Sequence, residues 1–301
     1  MLTGDNARGG RGVAGIYTKT VKPPPCPAGH TPFFTVDQGI HRHALFRANG
    51  RLLGEHTGYL TPFEADLTGC SPSCTLEVTL DGGRPCVQQD ANCTGDCGGC
   101  SDALIGAADD DTDGTGLGGW AGLNGHVSIE CRPPIFIDGG IGNVIPPHVQ
   151  HPPVTTASAG KPLEVTVSFI VSGGSAQASV DIFDNSTGTL VASSSPSAPL
   201  HGNSTLRVTI PRVVLWSPES RALYTAVVTL GTSTKPLDSA TTRFGVRSIA
   251  VDGHKLLLNG QRIFLAGYGD DAIYPMTVSP PRDKSAYVQK LRFAHEHGFV
   301  K

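Results

Sequence analysis

The chain has 301 residues, more than one hydrophobic core usually organises, so we expect several domains. Its 38 glycines and 23 prolines are typical of a β-rich protein with many turns. The formal net charge of −3 argues against nucleic acid and an anionic membrane surface as partners. No apolar run reaches the roughly 18 residues that a bilayer-spanning helix needs, so we expect no membrane partner.

The first clear element is a β-hairpin. The segment HRHALFRANGRLLGEH (41–56) contains two alternating strands joined by Asn49-Gly50, a dipeptide that favours a two-residue hairpin turn. Alternation places Ala44, Phe46 and Ala48 on one face of the first strand. Alternation also predicts strands in TLEVTLDGG (75–83) and GHVSIECR (125–132), whereas residues 1–30 are expected to be irregular apart from AGIYTKTV.

A polar insertion at 84–118 lies between the last two of these strands. Its segment CTGDCGGC (93–100) lacks the second cysteine pair and the nearby histidine of a zinc site, so we favour disulfides. Several pairings are possible, and the sequence selects none of them. The chain has eight cysteines: Cys26, Cys70, Cys74, Cys86, Cys93, Cys97, Cys100 and Cys131.

The insertion also contains the acidic stretch DDDTDG (109–114). Asp109, Asp111 and Asp113 alternate, and carboxylates in that pattern on a tight turn converge on a hard cation such as Ca²⁺. Trp120 occupies the position where a calcium loop supplies its bidentate acid. We therefore favour a solvated acidic loop and expect no bound metal.

A second β-domain is predicted after the proline-rich segment IPPHVQHPP (145–153). Apolar and polar residues alternate there in successive runs separated by Ser, Gly and Asn turns, a spacing that predicts an immunoglobulin-type sandwich. The runs are LEVTVSFIV, ASVDIFD, GTLVASSS, LRVTI and LYTAVVTL.

The last 50 residues differ from the rest. The segment HKLLLNGQRIFLAGYGDDAIYP (254–275) contains an Asn-Gly hairpin followed by RIFLAG, an apolar run that predicts a buried strand. A helix is predicted next, with Asp283 as its N-cap, Gly298 as its stop, and one apolar face formed by Tyr287, Leu291 and Ala294. Strand, loop and helix form the repeating unit of a parallel α/β barrel.

Three stretches of the chain resemble known motifs. ANGRLLGEHTGYLTPFEADLTG (48–69) is similar to a hairpin with the pattern NG…G.H.GGYTPF..D.T, and LWSPESRALYTAVVTL (215–230) is similar to LWSPE.P.LY. TTRFGVRSIAVDGHKLLLNGQRIFLAGYGDDAIYP (241–275) resembles FGFR.I....G.F.LNGKP..LRGVNRHE.HP. All three patterns belong to glycoside hydrolase family 2, the group of β-galactosidases, β-glucuronidases and β-mannosidases.

The resemblance implies a mainly β fold in three parts. Residues 1–134 are expected to form a partial, sugar-binding-like jelly-roll sandwich that contains the insertion at 84–118. Residues 135–246 are expected to form an immunoglobulin-like β-sandwich. Residues 247–301 would be the first βα unit of a truncated (β/α)8 barrel, because YVQKLRFAHEHGF corresponds to the first barrel helix of the family.

For function, the resemblance implies the non-catalytic N-terminal part of a retaining exo-β-glycosidase whose partner is a terminal β-linked sugar. Such enzymes use two carboxylates about 5–5.5 Å apart, one as acid/base and one as nucleophile. The family places both on later barrel strands, so we expect no catalytic residue in this chain and no activity from this fragment alone. No cofactor is implied.

Five residues are candidates for sugar contact. Asp270 and Asp271 follow the apolar run where a barrel has its functional rim, and Tyr268 lies beside them. The family has Arg-His-Glu in this loop, so its sugar contacts are not carried over. In a complete family member, Asp113 and Trp120 of the insertion would lie beside the barrel mouth.

One alternative class remains, a non-catalytic carbohydrate-binding or adhesion protein made of two β-sandwiches. Three glycosylation sequons and the cysteine content favour a secreted or lysosome-like compartment. The start MLTGDNARGGRG lacks the apolar region of a signal peptide, so we expect the natural chain to begin further upstream. The sequons are at Asn92, Asn185 and Asn203.

Overall fold

The predicted, mainly β fold is confirmed by a computed structural model. Nineteen strands and one α-helix occur within the residues that the structure describes. The three-part division of the chain and the barrel unit stay predictions. The described residues are 14–36, 40–58, 62–81, 122–123, 127–138, 147–196, 198–232, 234–267 and 283–299.

The first β-sandwich consists of two antiparallel sheets. One sheet has the strand order β1-β6-β3-β4, with β7 added beside β3, and the other has the order β5-β2-β8. The strands are β1 (Ala14–Val21), β2 (Thr31–Val36), β3 (Ile40–Ala48), β4 (Arg51–Gly58), β5 (Phe63–Asp66), β6 (Cys74–Asp81), β7 (Gly122–Leu123) and β8 (Val127–Arg132).

The core of the first sandwich follows the predicted alternation. Ala44, Phe46 and Ala48 are buried on one face of β3, as expected from the sequence. The Phe46 ring stacks on Phe63 from the opposite sheet, with 3.9 Å between the ring centroids. Aromatic stacking of this kind adds to the apolar area that both rings remove from water.

Two disulfides occur in the described part of the chain. Cys26–Cys131 joins positions 105 residues apart and ties the segment after β1 to the end of β8. Cys70–Cys74 closes a short loop just before β6. Disulfides therefore occur in this chain, while the cysteines of the 84–118 insertion, for which disulfides are predicted, lie outside the described residues.

The second β-sandwich also has two antiparallel sheets. In one sheet β11 pairs with β9, β10 and β14, and in the other the order is β13-β12-β15-β16. The strands are β9 (Phe136–Asp138), β10 (His148–Gln150), β11 (Leu163–Ala176), β12 (Ala178–Asp184), β13 (Leu190–Ser194), β14 (Leu200–Ile210), β15 (Tyr224–Thr232) and β16 (Lys235–Phe244).

Alternating residues of β11, β12, β14 and β15 fill the core between these sheets. All five predicted strand segments are present. The pattern did not predict β16, since Lys235–Phe244 is polar and lies at the edge of its sheet. None of its ten residues is fully buried, so its sequence carries little apolar alternation.

A small third sheet follows, with the order β17-β18-β19. Its strands are β17 (Ile249–Asp252), β18 (Lys255–Leu258) and β19 (Gln261–Ile263). The expectation of a buried strand over RIFLAG is wrong in the described structure, because β19 ends at Ile263 and the next side chain, Phe264, is 84% exposed. A barrel strand is buried by neighbours on both sides, and no described strand lies beside 264–267.

The predicted helix is confirmed as α1 (Lys284–Glu296). Asp283 caps it by accepting a hydrogen bond from the Ser285 amide, and this bond lowers the pKa of the Asp283 carboxyl. Gly298 follows with φ +84°, a conformation that favours glycine after a helix. Of the predicted apolar face, Ala294 is buried, whereas Leu291 is 59% exposed.

Candidate functional site

The predicted sugar-contact residues lie outside the described part of the chain. This applies to Tyr268, Asp270 and Asp271, and to the insertion residues Asp113 and Trp120. The calcium candidates Asp109, Asp111 and Asp113 also lie outside it, and no group of three metal-ligating side chains occurs within the described residues. What the structure describes is the anchor that precedes residues 268–271 in the chain.

That anchor is the Asn-Gly turn between β18 and β19. Asn259 has φ +53° and Gly260 has φ +77°, so both residues adopt the left-handed conformation of the predicted hairpin turn. Asn259 is only 5% exposed, which is unusual for a polar residue at the tip of a hairpin. Its burial requires that the side-chain amide be hydrogen-bonded.

Both ends of the Asn259 amide are bonded to the backbone. Its Oδ1 accepts from the Ser248 N–H at 3.0 Å. Its Nδ2 donates to the Trp216 carbonyl at 3.0 Å. The amide therefore connects the hairpin to two other stretches of chain, and each bond satisfies a backbone group that would otherwise be left without a partner.

Backbone hydrogen bonds complete the same junction. The Thr156 N–H donates to the Asn259 carbonyl at 3.0 Å, and the Asn259 N–H donates to the Ser248 carbonyl at 2.8 Å. The Ser248 hydroxyl in turn accepts from the Val154 N–H at 2.7 Å. Three of the recognised motif segments, LWSPE, FGVRS and LLLNGQ, thus meet around one side chain.

Trp216 fixes the other side of the junction. Its backbone N–H donates to the Val246 carbonyl at 2.9 Å. The Arg247 guanidinium lies 4.5 Å from the centre of the Trp216 indole ring. A Cβ added to Gly245 would come within 3.0 Å of the Trp216 Cβ, so glycine allows the close approach. A cation over an indole ring is attracted to its π face.

A groove of about 690 Å³ runs between the second sandwich and the hairpin. Val213, Leu215 and Leu258 contribute apolar walls, and Arg212 and Arg262 contribute positive charge. Glu219 is its single described carboxylate, and a hydrogen bond from the Ser217 hydroxyl lowers the pKa of that group. Retaining hydrolysis needs two carboxylates, and the described lining of this groove contains one.

Two of the three sequon asparagines lie on the surface of the second sandwich. Asn185 is exposed in the turn after β12, and its Oδ1 accepts from the Thr225 hydroxyl at 2.9 Å. Asn203 is exposed on β14. Asn92 lies outside the described residues. None of the helices in the described ranges is long and apolar enough to cross a bilayer.

The buried junction was not predicted from the sequence. The Asn-Gly dipeptide indicated the turn but not the burial of Asn259, because a hairpin tip is normally solvated. A usable signal was the co-occurrence of that turn with the LWSPE and FGVRS segments, which now prove to be its hydrogen-bond partners.

Comparison with known proteins agrees with this architecture. Comparison with curated sequences gave no significant match. A β-glucuronidase of Bacteroides uniformis aligns with 96% of this chain and 33% of its own (TM-score 0.70, 18% identity). A Bifidobacterium dentium β-glucuronidase complexed with coumarin-3-O-glucuronide aligns with 94% of this chain and 47% of its own (TM-score 0.67, 22% identity).

A family 2 glycosyl hydrolase of Bacteroides cellulosilyticus aligns with 84% of this chain and 31% of its own, at a TM-score of 0.58 and 19% identity. This chain therefore spans between about a third and a half of the solved structures it resembles. At such identities the likeness concerns the fold. Residues 148–247, the segment that contains β11 to β16, match the family model of glycosyl hydrolases family 2. Through this segment, about a third of the chain, it is similar to glycosyl hydrolases family 2.

Proposed function

We propose that this chain is the non-catalytic, scaffold-forming part of a retaining exo-β-glycosidase. The family match over 148–247 supports glycoside hydrolysis as the chemistry of the whole protein. The solved relatives that share this fold are two to three times longer than the aligned part, which leaves room for a catalytic domain. The two carboxylates of the reaction would belong to that domain.

The observation that carries the proposal is the junction at Asn259. The buried Asn259 amide and the backbone hydrogen bonds beside it hold the hairpin against the second sandwich, so the chain leaves β19 in a defined direction. A scaffold for a barrel needs such a fixed exit, because a displacement of about 1 Å at a catalytic rim can lower turnover a hundredfold. A free-standing binding module has no such requirement.

In this proposal the substrate is a terminal β-linked sugar. Asp270, Asp271 and Tyr268 would contact its hydroxyl groups at the barrel rim, and Asp113 and Trp120 of the insertion would lie beside the barrel mouth. Carboxylates accept hydrogen bonds from sugar hydroxyls, and an aromatic ring covers the apolar face of a pyranose. The Bifidobacterium dentium relative was solved with a glucuronide, so β-glucuronides belong in the first substrate panel.

The test compares the 301-residue chain with the product of the complete reading frame. Both are assayed with chromogenic β-galactosides, β-glucuronides, β-mannosides and β-glucosides, and the anomer released first is identified by NMR. We expect the complete product to hydrolyse one of them with retention and the 301-residue chain to hydrolyse none. Turnover by the 301-residue chain, or inversion by the complete product, contradicts the proposal.

The same panel separates the scaffold from the carbohydrate-binding alternative. If the reading frame ends at Lys301, the chain has no catalytic domain and the proposal is wrong. Calorimetry with the corresponding sugars then tests the binding module directly. For the rim residues, Asp270→Asn and Asp271→Asn in the complete product should raise KM, whereas the control Asp252→Asn on the exposed hairpin strand should leave it unchanged.

We also propose a secreted or lysosome-like location for the protein. The two disulfides and the exposure of Asn185 and Asn203 support it. Mass spectrometry of the protein from its natural source should find glycans on these asparagines. Unmodified asparagines together with free thiols at Cys26 and Cys131 would contradict this location.

A further inference from the structure

The first sandwich is closed on one side and open on the other. Toward β4 and β5, the stacked rings of Phe46 and Phe63 fill the space between the sheets, and each is only 1% exposed. On the other side, β1 pairs with β6 and β8 pairs with β2, and both strands end their sheets among the described residues. A groove of about 720 Å³ lies there, a volume within the usual range of small-molecule sites.

The floor of this groove is the apolar interior of the sandwich. The buried side chains of Phe34, Leu76 and Val78 line it, together with Ile129 of β8. Val127 lies two residues before Ile129 and therefore shares its inward face, yet Val127 is 48% exposed. An apolar group that enters the groove removes this surface from water, and its own surface as well.

The rim of the groove is cationic. Lys19 of β1 lies directly opposite Leu76 of β6, so both side chains are on the inner face of their sheet. Tyr17 lies opposite Val78 on the same face. Lys22, just after β1, also lines the groove, and its described lining residues include no carboxylate.

The two lysines are exposed and without an ion pair. Neither ammonium group has a carboxylate partner within the described ranges. An inward lysine on an edge strand can serve only to prevent wrong strand pairing, but that role does not require a second lysine or an open apolar floor. The junction groove also combines apolar walls with two cations, and there Glu219 supplies a negative charge.

We propose that the mouth of the first sandwich binds an amphipathic carboxylate from solution, with its apolar chain between the sheets and its carboxylate beside Lys19 and Lys22. The chain covers the floor formed by Phe34, Val78 and their neighbours, which is the main source of affinity. The lysines select the charged head group and stay hydrated at the rim, so little desolvation opposes binding. The site requires no catalytic domain and is separate from the proposed hydrolysis.

The first experiment is calorimetry of the 301-residue chain with hexanoate, octanoate and decanoate, each below the concentration at which it forms micelles. Affinity should rise about two- to fourfold with each added methylene, because every methylene buries more apolar area. Octanol has the same chain length without the charge and should bind about threefold more weakly than octanoate. Absence of decanoate binding, or equal affinity for octanol and octanoate, contradicts the proposal.

Charge variants test the rim. Lys19→Met and Lys22→Met keep the length of the side chain and remove its charge, so each should weaken octanoate binding about twofold and leave octanol binding unchanged. Lys161→Met is the matched control, because Lys161 is an exposed lysine of the second sandwich. Wild-type affinity for octanoate in the double variant of Lys19 and Lys22, or a loss in Lys161→Met, would show that the rim does not hold the carboxylate.

A second pair of variants tests the position of the chain. Val127→Trp places a large ring in the mouth of the groove and should lower decanoate affinity about tenfold. Ile16→Trp adds the same ring to the outer face of β1, where Ile16 is 62% exposed, and should have no effect. In the wild-type chain, decanoate should shift the NMR signals of the Ile129 methyl groups. Shifts at Leu258 instead would place the ligand in the junction groove and contradict the proposal.

A second copy of the chain is the competing occupant, since the outer edge of β1 could pair with another strand. Sedimentation velocity of the wild-type chain and of Val127→Trp separates the two possibilities. We expect both to sediment as monomers. A wild-type dimer that Val127→Trp dissociates would assign the groove to the second copy and overturn the proposal.

Discussion

The chain contains two Asn-Gly turns with the same backbone shape and opposite surroundings. In the first sandwich, Asn49 has φ +49° and Gly50 has φ +80°, nearly the values of Asn259 and Gly260. Asn49 is exposed, and its Oδ1 accepts one hydrogen bond, from the Thr75 N–H at 2.9 Å. Asn259 is buried, and its amide bonds both Ser248 and Trp216.

This difference shows what a local signal determines. The dipeptide determines the turn, since both positions require positive φ and asparagine and glycine tolerate it best. How much the turn contributes to the free energy of unfolding depends on the residues that pack against it, and the dipeptide does not determine those residues. The first turn closes a hairpin within one sheet, and the second joins a hairpin to a separate sandwich.

Replacing each asparagine by alanine should separate the two turns most clearly. Asn259→Ala leaves the partly buried Ser248 N–H and Trp216 carbonyl without the Asn259 amide and puts alanine at positive φ, so we expect about 3 kcal/mol of destabilisation. Asn49→Ala loses one exposed hydrogen bond and also puts alanine at positive φ, so we expect a total destabilisation of about 1 kcal/mol. Urea unfolding at constant pH measures both changes.

Trp216 provides the fluorescence signal for that measurement, because its carbonyl accepts the Asn259 bond. A Trp120→Phe background makes Trp216 the single tryptophan, since the chain has two. Equal losses for the two alanine variants would mean that burial of Asn259 contributes nothing beyond the turn itself.

Glycine substitutions should separate side-chain bonding from backbone conformation. Glycine adopts positive φ without strain, so Asn49→Gly should change the free energy of unfolding by only a few tenths of a kcal/mol. Asn259→Gly still removes both amide bonds and should cost about 2 kcal/mol. If Asn259→Gly is as mild as Asn49→Gly, the two turns differ only in exposure.

Ser248 shows how far the second junction extends beyond its turn. Ser248→Ala removes the acceptor of the buried Val154 N–H and should cost about 1 kcal/mol. The matched change in the first turn is Thr75→Val, which loses an exposed 3.4 Å contact with Thr20 and should be close to neutral. Hydrogen exchange of the Val154 amide measures the effect of Ser248→Ala. An exchange rate unchanged from the wild-type chain would contradict this prediction.

The sequence predicted elements whose signals are local. The two hairpin turns, the five strand segments of the second sandwich and the Asp283 cap follow from period, turn chemistry and capping, and all are confirmed. The strand expected over RIFLAG and the burial of Asn259 depend on what packs beside them, and neither was predicted correctly. The rim residues Asp270 and Asp271 lie beyond the described hairpin, so their role stays a prediction.

A third turn, after β12, has a carboxylate as its hydrogen-bond acceptor in place of an amide. We expect it to show the smallest change in stability of the three turns. Asp184 ends β12, and its Oδ1 accepts from the Ser186 hydroxyl at 2.6 Å and the Ser186 N–H at 2.8 Å. The Ser186 hydroxyl bond, followed by the amide bond, lowers the pKa of this exposed carboxyl below 3.8. A lowered pKa contributes stability that is present above pH 3.8 and is lost as pH falls through the folded value.

Asn49 and Asn259 use amide oxygens for the same task and cannot respond to pH in this way. The NMR shift of the Ser186 amide proton should therefore move with a midpoint below pH 3.8 in the wild-type chain. In Asp184→Asn it should stay constant, because the amide oxygen accepts the same bonds without ionising. A titrating Ser186 signal in that variant would assign the pH response of the turn to another group.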